Sequence, residues 1–354
     1  MLLIFQILFI FAMFCFFYST ILFPIFLLTK RRKRYNIVSN YQPFVSLVIS
    51  VHNEEEIIEK KIKNSMELNY PGDKLEIIVS SDGSTDKTSE ICQRYVRVKF
   101  LDLAREGKTA VQNEALKHAK GEIIVFSDAN ILYEANAIKE LVAPFSDNRV
   151  GCACGRLIYT NDKVESIYWS YETMIKILEG RIGKLVGANG GIYAVRKELY
   201  LPLENDAISD FLEPIKIYES GYDVLYVKNS IGYEVEPKII FSRKRRIILR
   251  SLNSLRYLGK SVRPFNKRSL FSMLVPHKFI RWFMPVLLII LLVSSIFLVK
   301  LYVYRFLLFS QILFYALAIL VKPVKYFVIV NSSSFMAIID WIRGKKINIW
   351  EVER

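Results

Sequence analysis

VSLVISVHNEEE (45–56), EIIVSSDGSTDKT (76–88) and GEIIVFSDANILY (121–133) are the three stretches that decide the fold. Each is a short apolar run that breaks into a polar loop carrying an acid. An apolar run of this length reads as a strand buried on both faces, the pattern of a parallel sheet. The spacing predicts strands at Val45–Val51, Leu75–Val79, Val96–Leu101 and Glu122–Ser127. Helical spacing through Ile57, Ile58, Ile62 and Met66, and over Ser84–Tyr95, Thr109–Ala119 and Asn136–Pro144, fills the intervals. Repeated strand–helix order predicts an α/β fold, a mostly parallel sheet with helices on both faces. Ligands of such sheets sit beyond the carboxyl ends of the strands, so chemistry is expected in the loops after Val51, Val79 and Phe126. Gly83 permits a tight turn, Ser84 can cap a helix and Asp82 is expected to face the crevice. One such acid reads as an ordinary turn or cap. Three at three strand ends of one sheet point to a site.

Outward from this block, residues 1–29 carry no charged side chain and are followed at once by Lys30-Arg31-Arg32-Lys33-Arg34. A signal peptide has the reverse charge order and a shorter apolar run. The segment reads as a retained transmembrane anchor with the following residues, a soluble block at 43–240, in the cytoplasm. Trp282–Val299 and Phe306–Val321 are uncharged runs separated by six residues, which predicts a transmembrane hairpin over 282–321. Residues 322–354 contain a shorter apolar run, Tyr326–Ile339, interrupted by Asn331-Ser332-Ser333-Ser334. They read as a re-entrant, interfacial or third membrane segment with a basic tail. The expectation is a multi-pass protein of the cell membrane.

The chain has 354 residues, 52% of them apolar, and a net charge of +15. That excludes disorder, and collagen-like or repeat architectures. Twelve Lys or Arg residues and no acid lie between Phe241 and Arg281. Nucleic acid is the habitual partner of such a run, but no recognition motif accompanies it. Its place beside a membrane hairpin makes it a juxtamembrane segment, 241–281, facing anionic lipid. Cys15, Cys92, Cys152 and Cys154 are too few and too badly spaced for a disulfide framework, and no further ligands stand near the last two for zinc. They read as reduced thiols.

In order along the chain, VSLVISVHNEEEIIEKKIKNSMELNYP (45–71), EIIVSSDGSTDKT, REGKTAVQNEAL (105–116), GEIIVFSDAN and GANGGIYAVRK (187–197) resemble family 2 glycosyltransferases. ISDFLEPIKIYESGYDVLYV (208–227), RKRRI (243–247), HKFIRWFMP (277–285) and IRGKKINIWEVER (342–354) are similar to its membrane-bound branch, which includes the cellulose, hyaluronan and poly-N-acetylglucosamine synthases. The resemblance implies a nucleotide-sugar-binding A-type glycosyltransferase domain of Rossmann-like form. Its donor is a nucleoside-diphosphate sugar, UDP-linked by expectation, and its acceptor a growing glycan or a lipid.

By that resemblance Asp82 serves the uracil or ribose end of the donor, Glu54 helps form the same pocket and Lys108 lies near the nucleotide. Ser81 stands where the family often has a further acid. Asp128-Ala129-Asn130 occupies the place of the Asp-x-Asp motif, so Asp128 and Asn130 are the expected ligands of a divalent cation, Mg²⁺ or Mn²⁺. Two protein oxygens suffice where phosphate and water supply the rest. Asp210 is the expected general base, giving inversion by in-line displacement. A helix cap is the alternative role for it, and Asp206 and Glu213 are alternative bases. Arg243 and Arg246, three apart, fit the polar positions of the Gln-x-x-Arg-Trp element and suit a diphosphate. Ile247 replaces the Trp that faces the acceptor in processive synthases, so sugar transfer is the firmer expectation than polymerisation. A few spans are little for a secretion channel, which leaves room for a partner subunit or a homodimer. Transfer of one sugar to a lipid carrier and an inert membrane scaffold are the alternatives. The presence of Asp82, Asp128, Asp210 and Arg246 together speaks against the scaffold.

Overall fold

The structure is a computed structural model that describes residues 1–159, 163–234, 240–258 and 264–347. The end of the basic tail, 348–354, and residues 259–263 of the juxtamembrane segment lie outside the described residues. Eight strands form one sheet: β1 Val45–Val51, β2 Leu75–Asp82, β3 Val98–Leu103, β4 Ile123–Asp128, β5 Ile131–Tyr133, β6 Val150–Tyr159, β7 Tyr193–Arg196 and β8 Asp223–Glu234. Their order is β3-β2-β1-β4-β7-β6-β8-β5.

The four predicted strands form the parallel half, with β1 between β2 and β4. All seven residues of β1 are buried, as its unbroken apolar run requires. Leu47 and Ile49 pack with Val79, Val125, Ile58, Ile62 and Leu141 on one face. Val48, Ile78, Ile124 and Phe126 pack with Ala115 and Leu116 of the helix Lys108–His118 on the other. Ser50 pairs in register with both Ser80 and Asp128, so the three acid-bearing loops leave the sheet side by side.

The second half makes the sheet mixed while leaving it mostly parallel, as expected: six of the eight strands run one way and β5 and β7 run against them. β7 is antiparallel to both β4 and β6, β8 is parallel to β6, and β5 turns back antiparallel to β8. The pairing of Ile131 with Glu234 carries the end of β8 to the Asp128-Ala129-Asn130 turn. Cys152 and Cys154 share one buried face of β6, and all four cysteines are free.

Among the described residues one helix, Leu2–Thr29, is by itself long and apolar enough to cross a membrane, and there are up to three spans if each of two bent helix pairs counts as one. Where a hairpin was predicted, Met284–Phe297 and Tyr302–Leu317 have 14 and 16 residues. At about 1.5 Å per residue neither reaches the ~30 Å of a hydrocarbon core. Each joins a bent neighbour, Ser269–Trp282 at 62° and Lys322–Ile342 at 100°. The polar residues Asn331–Ser334 that interrupt the apolar run lie within one continuous helix, Lys322–Ile342. Asn331 Nδ2 and Ser333 Oγ donate to carbonyls one turn back, at 2.8 and 2.7 Å, and Ser334 Oγ donates to Trp282 O at 2.5 Å. These side chains satisfy themselves without breaking the helix.

The helix Leu2–Phe17 lies against Met284–Phe297 through Phe9, Ala12, Leu287 and Leu291. Lys322–Ile342 packs on Ile240–Ser254, joining Ala337 and Ile338 to Ile248, Leu249 and Leu252. Asp340 anchors that contact on Arg245 at 2.5 Å.

Candidate active site

The loops after β1 and β2 are stapled to one another. Asn53 Oδ1 accepts from Thr85 N at 2.8 Å, Glu54 N donates to Thr88 Oγ1 at 2.8 Å and Glu55 N donates to Asp86 Oδ2 at 3.0 Å. Gly83 makes the turn possible with φ of 61°, where a Cβ would meet Arg105 Cβ at 2.9 Å. Asp82 ends β2 fully buried. Its Oδ1 accepts the backbone amides of Glu106 and Gly107, each at 2.8 Å. It thereby holds the loop that starts the helix Lys108–His118 and aims Lys108. Lys108 Nζ pairs with the Asp128 carboxylate.

A cavity of about 670 Å³ opens beyond these strand ends. Glu54, Lys108, Asp128, Asn130, Asp210, Arg243 and Arg246 all line it, which gathers seven of the eight expected site residues. Asp82 is not among the lining residues. Its carboxylate sits behind the loop it fixes, so the expectation that it faces the crevice is corrected.

Asn130 Nδ2 donates to Glu234 Oε1 at 3.2 Å, and Arg243 reaches the same oxygen at 2.7 Å. Burial works against the Arg243 charge, but the Glu234 carboxylate more than offsets it and holds the guanidinium above its usual range. Among the described residues no group of three His, Cys, Asp or Glu side chains gathers that could hold a metal ion unaided. The Asp128 carboxylate and the Asn130 amide oxygen are hard donors, suited to a cation that takes its other ligands from a diphosphate and water.

Asp210 lies in the first turn of the helix Ser209–Glu219, whose N-cap position is Ile208 and which no side chain caps. The capping role expected as its alternative is therefore not the one it fills. Asp210 O accepts from Ala188 N at 2.6 Å, and a Cβ on Gly190 would lie 2.6 Å from Asp210 Oδ2. The loop 187–191 thus closes on the carboxylate only because it is glycine-rich. Asp206 is taken up by Arg256 and by Tyr257 Oη at 2.6 Å. Glu213 is fully buried and turned to the sheet. Neither alternative base reaches the cavity.

Sequence reading assigned no role to seven other ionisable residues here. Arg250, buried on the same helix as Arg243 and Arg246, donates to Ala207 O at 2.6 Å. Burial pushes it down to about 10, against the pull of Asp210 and Asp82. Lys176 donates to Asn189 Oδ1 at 2.5 Å. Glu172 takes Lys278 at 3.1 Å, Arg281 at 2.5 Å and His277 Nε2 at 3.0 Å. Burial raises Glu172, yet Lys278, Arg281 and His277 together hold it well below the usual carboxylate range. Lys61, fully buried, donates to Ile131 O at 2.5 Å beneath the Asp128-Asn130 turn. Among these Arg250, His277, Lys278 and Arg281 fall in the basic stretch 241–281, whereas Lys61, Glu172 and Lys176 carried no signal in the sequence.

A family model described as Glycosyl transferase family 2 matches residues 46–200. A beta-monoglucosyldiacylglycerol synthase of Nostoc sp. is 31% identical over 142 residues, 38% of this chain and 30% of that protein. A poly-beta-1,6-N-acetyl-D-glucosamine synthase of Staphylococcus epidermidis is 26% identical over 214 residues, 55% of this chain and 51% of that one. The chain thus matches no more than about half the length of these curated relatives. Among solved structures, the mannosyltransferase PcManGT of Pyrobaculum calidifontis, in complex with GDP-Man and Mn²⁺, shares the fold. Its TM-score is 0.77 at 22% identity, over 96% of this chain and 99% of that one.

Proposed function

We propose that this chain, whose residues 46–200 match the Glycosyl transferase family 2 model, is an inverting transferase of sugars from nucleoside diphosphates to a membrane-associated or growing-glycan acceptor. The observation that supports this most is that one cavity is lined by Lys108, Asp128, Asn130, Arg243 and Arg246 and also by Asp210.

Donor transfer needs the diphosphate neutralised and the acceptor hydroxyl deprotonated. Arg243 and Arg246 project from one helix into the cavity, and guanidinium groups match phosphate geometry with paired hydrogen bonds. Lys108, fixed through Asp82 and the 104–107 loop, adds a third cation. Asp128 and Asn130 would hold a divalent cation. Its chemistry, when bound, is to stabilise charge on the leaving diphosphate. Asp210 takes the proton from the attacking hydroxyl, positioned by the 187–191 loop. Glu54 lines the donor end. The apolar helix Leu2–Thr29 and the short helices at 284–317 hold the domain at a membrane, with 30–281 on the cytoplasmic side where nucleotide sugars are made available. The two relatives differ by name in acceptor, one a lipid and the other a polymer.

The test is turnover of a panel of radiolabelled nucleotide sugars by the full chain purified in detergent. At least one donor is expected to release its nucleoside diphosphate and label a lipid or polymer fraction. Asp128→Ala should lower that turnover by at least about 100-fold, the scale of losing a group that stabilises leaving charge, and excess chelator should match it. Hydrolysis or transfer of no donor would overturn the proposal, and full activity in chelator would overturn its metal part.

A further inference from the structure

Asn130 and Glu234 are 104 residues apart in sequence and meet because β5 turns back on β8. Ile131 pairs in register with Glu234. Gly232 lets the two strands close, for a Cβ there would lie 2.8 Å from Ile131 Cγ2. From the other side Lys61 Nζ donates to Ile131 O at 2.5 Å. The turn Asp128-Ala129-Asn130 is thereby held against the end of β8.

Glu234 is only 2% exposed, and it lines the cavity together with Asp128 and Asn130. Its Oε1 accepts from Asn130 Nδ2 at 3.2 Å and from Arg243 Nη2 at 2.7 Å. A carboxylate in an ion pair only accepts hydrogen bonds, so the amide edge turned toward it has to be the NH₂ edge. The amide oxygen is left on the opposite edge and makes no hydrogen bond among the described residues. Oxygen is the donor a hard divalent cation takes; an amide NH₂ is not. In an Asp-x-Asp turn both side chains bring a negative charge. Here the second brings none, and a buried negative charge stands one hydrogen bond behind it.

We propose that Glu234 is a positioning residue of the cation site: it turns the Asn130 oxygen away from itself, toward the cavity, and supplies from behind the negative charge that Asn130 lacks. This rests on the transferase reading with its divalent cation and adds a residue to it. Because the same Glu234 oxygen also holds Arg243, the side chain for the cation and the one for the diphosphate are oriented together.

Completing the motif by Asn130→Asp would then not help by itself. A carboxylate oxygen would replace the amide nitrogen beside Glu234, and like charges at that distance oppose each other. The altered side chain must swing away or keep a proton. Adding Glu234→Gln removes the conflict, since the new amide NH₂ donates to the new carboxylate and frees its other oxygen for the cation.

The experiment measures Mn²⁺ binding by electron paramagnetic resonance, with UDP and with GDP, on the full chain purified in detergent. Glu234→Ala should weaken Mn²⁺ binding by about 10- to 100-fold, the usual cost of losing a group that orients a metal ligand. Asn130→Asp, Glu234→Gln and the double variant complete a cycle. The effect of Asn130→Asp on Mn²⁺ affinity should be more favourable by at least about tenfold in the Glu234→Gln background than in the native one, because contacting residues couple and independent ones add. A general loosening of the fold by Glu234→Gln cancels in that comparison. Additive effects in the cycle, or Mn²⁺ binding unchanged in Glu234→Ala, would overturn the proposal while leaving the cation in place. Failure of the unaltered chain to bind Mn²⁺ with either nucleotide would instead sink the cation part of the transferase reading, and this proposal with it.

Discussion

Asp210 and Glu213 stand three residues apart on one helix and meet opposite surroundings. Asp210 lines the cavity; Glu213 faces the sheet, fully buried among Cys152, Tyr193 and Tyr200. Burial pushes the Glu213 carboxyl up to about 8, with Lys216 and a backbone amide only partly opposing it. The folded state therefore keeps its proton between the ordinary glutamate range near 4.5 and about 8, where the unfolded chain has lost it. Stability from this group is full below the unfolded value and is lost as pH rises through the folded one. Glu213→Gln should leave stability at pH 5 nearly unchanged and raise it at pH 9 by a few kcal/mol, on the order of what such a shift carries. Urea unfolding of the two proteins at both pH values checks this, and a difference independent of pH would refute it. The sequence carried the residue types of the site but not such contrasts. Both acids sit on the same helix face by spacing, and only the sheet's position tells which is wet.

Elements were legible where apolar runs are local. Strands at 45–51 and 123–128 and the helix at 108–118 fall within a residue of expectation. The predicted helix over 84–95 shrinks to Thr88–Gln93, because residues 84–87 spend their hydrogen bonds on the 53–55 loop. The β6–β8 half was not legible. Its pairings join residues far apart in sequence, and β7 has only four residues. Yet this half carries the 187–191 loop that backs Asp210. Gly190→Ala would put a methyl group 2.6 Å from Asp210 Oδ2, closer than carbon and oxygen can stand. Carboxylate or loop must shift, and a misplacement of about 1 Å costs on the order of 100-fold in rate. The expected result is a kcat lower by that order with donor binding little changed. An unchanged kcat would mean that the loop does not position the base.

On the proposed reading the cavity at the strand ends takes the donor, and residues of the apolar helices, Phe16, Trp282 and Phe327 among them, line it too. That account requires 30–281 to face the cytoplasm. A cysteine placed at the exposed Asn148, beside the turn that precedes β6, should resist a membrane-impermeant thiol reagent in intact cells and react after lysis. The native thiols provide little background, since Cys92, Cys152 and Cys154 are buried. Labelling in intact cells would reverse the orientation. The number of crossings was the least legible property. Hydropathy counts apolar residues, whereas bends of 62° and 100° divide the C-terminal segments, each just before a helix with proline in its first turn, Pro285 and Pro323. The central claim is that the base at Asp210 completes a transferase whose donor is held elsewhere in the same cavity. The direct measurement is nucleoside-diphosphate binding and sugar transfer on one purified preparation of Asp210→Asn, which keeps shape and removes basicity. Transfer should fall by about 100-fold or more while binding stays within a few-fold of the unaltered chain. Transfer that survives within a few-fold would contradict the account.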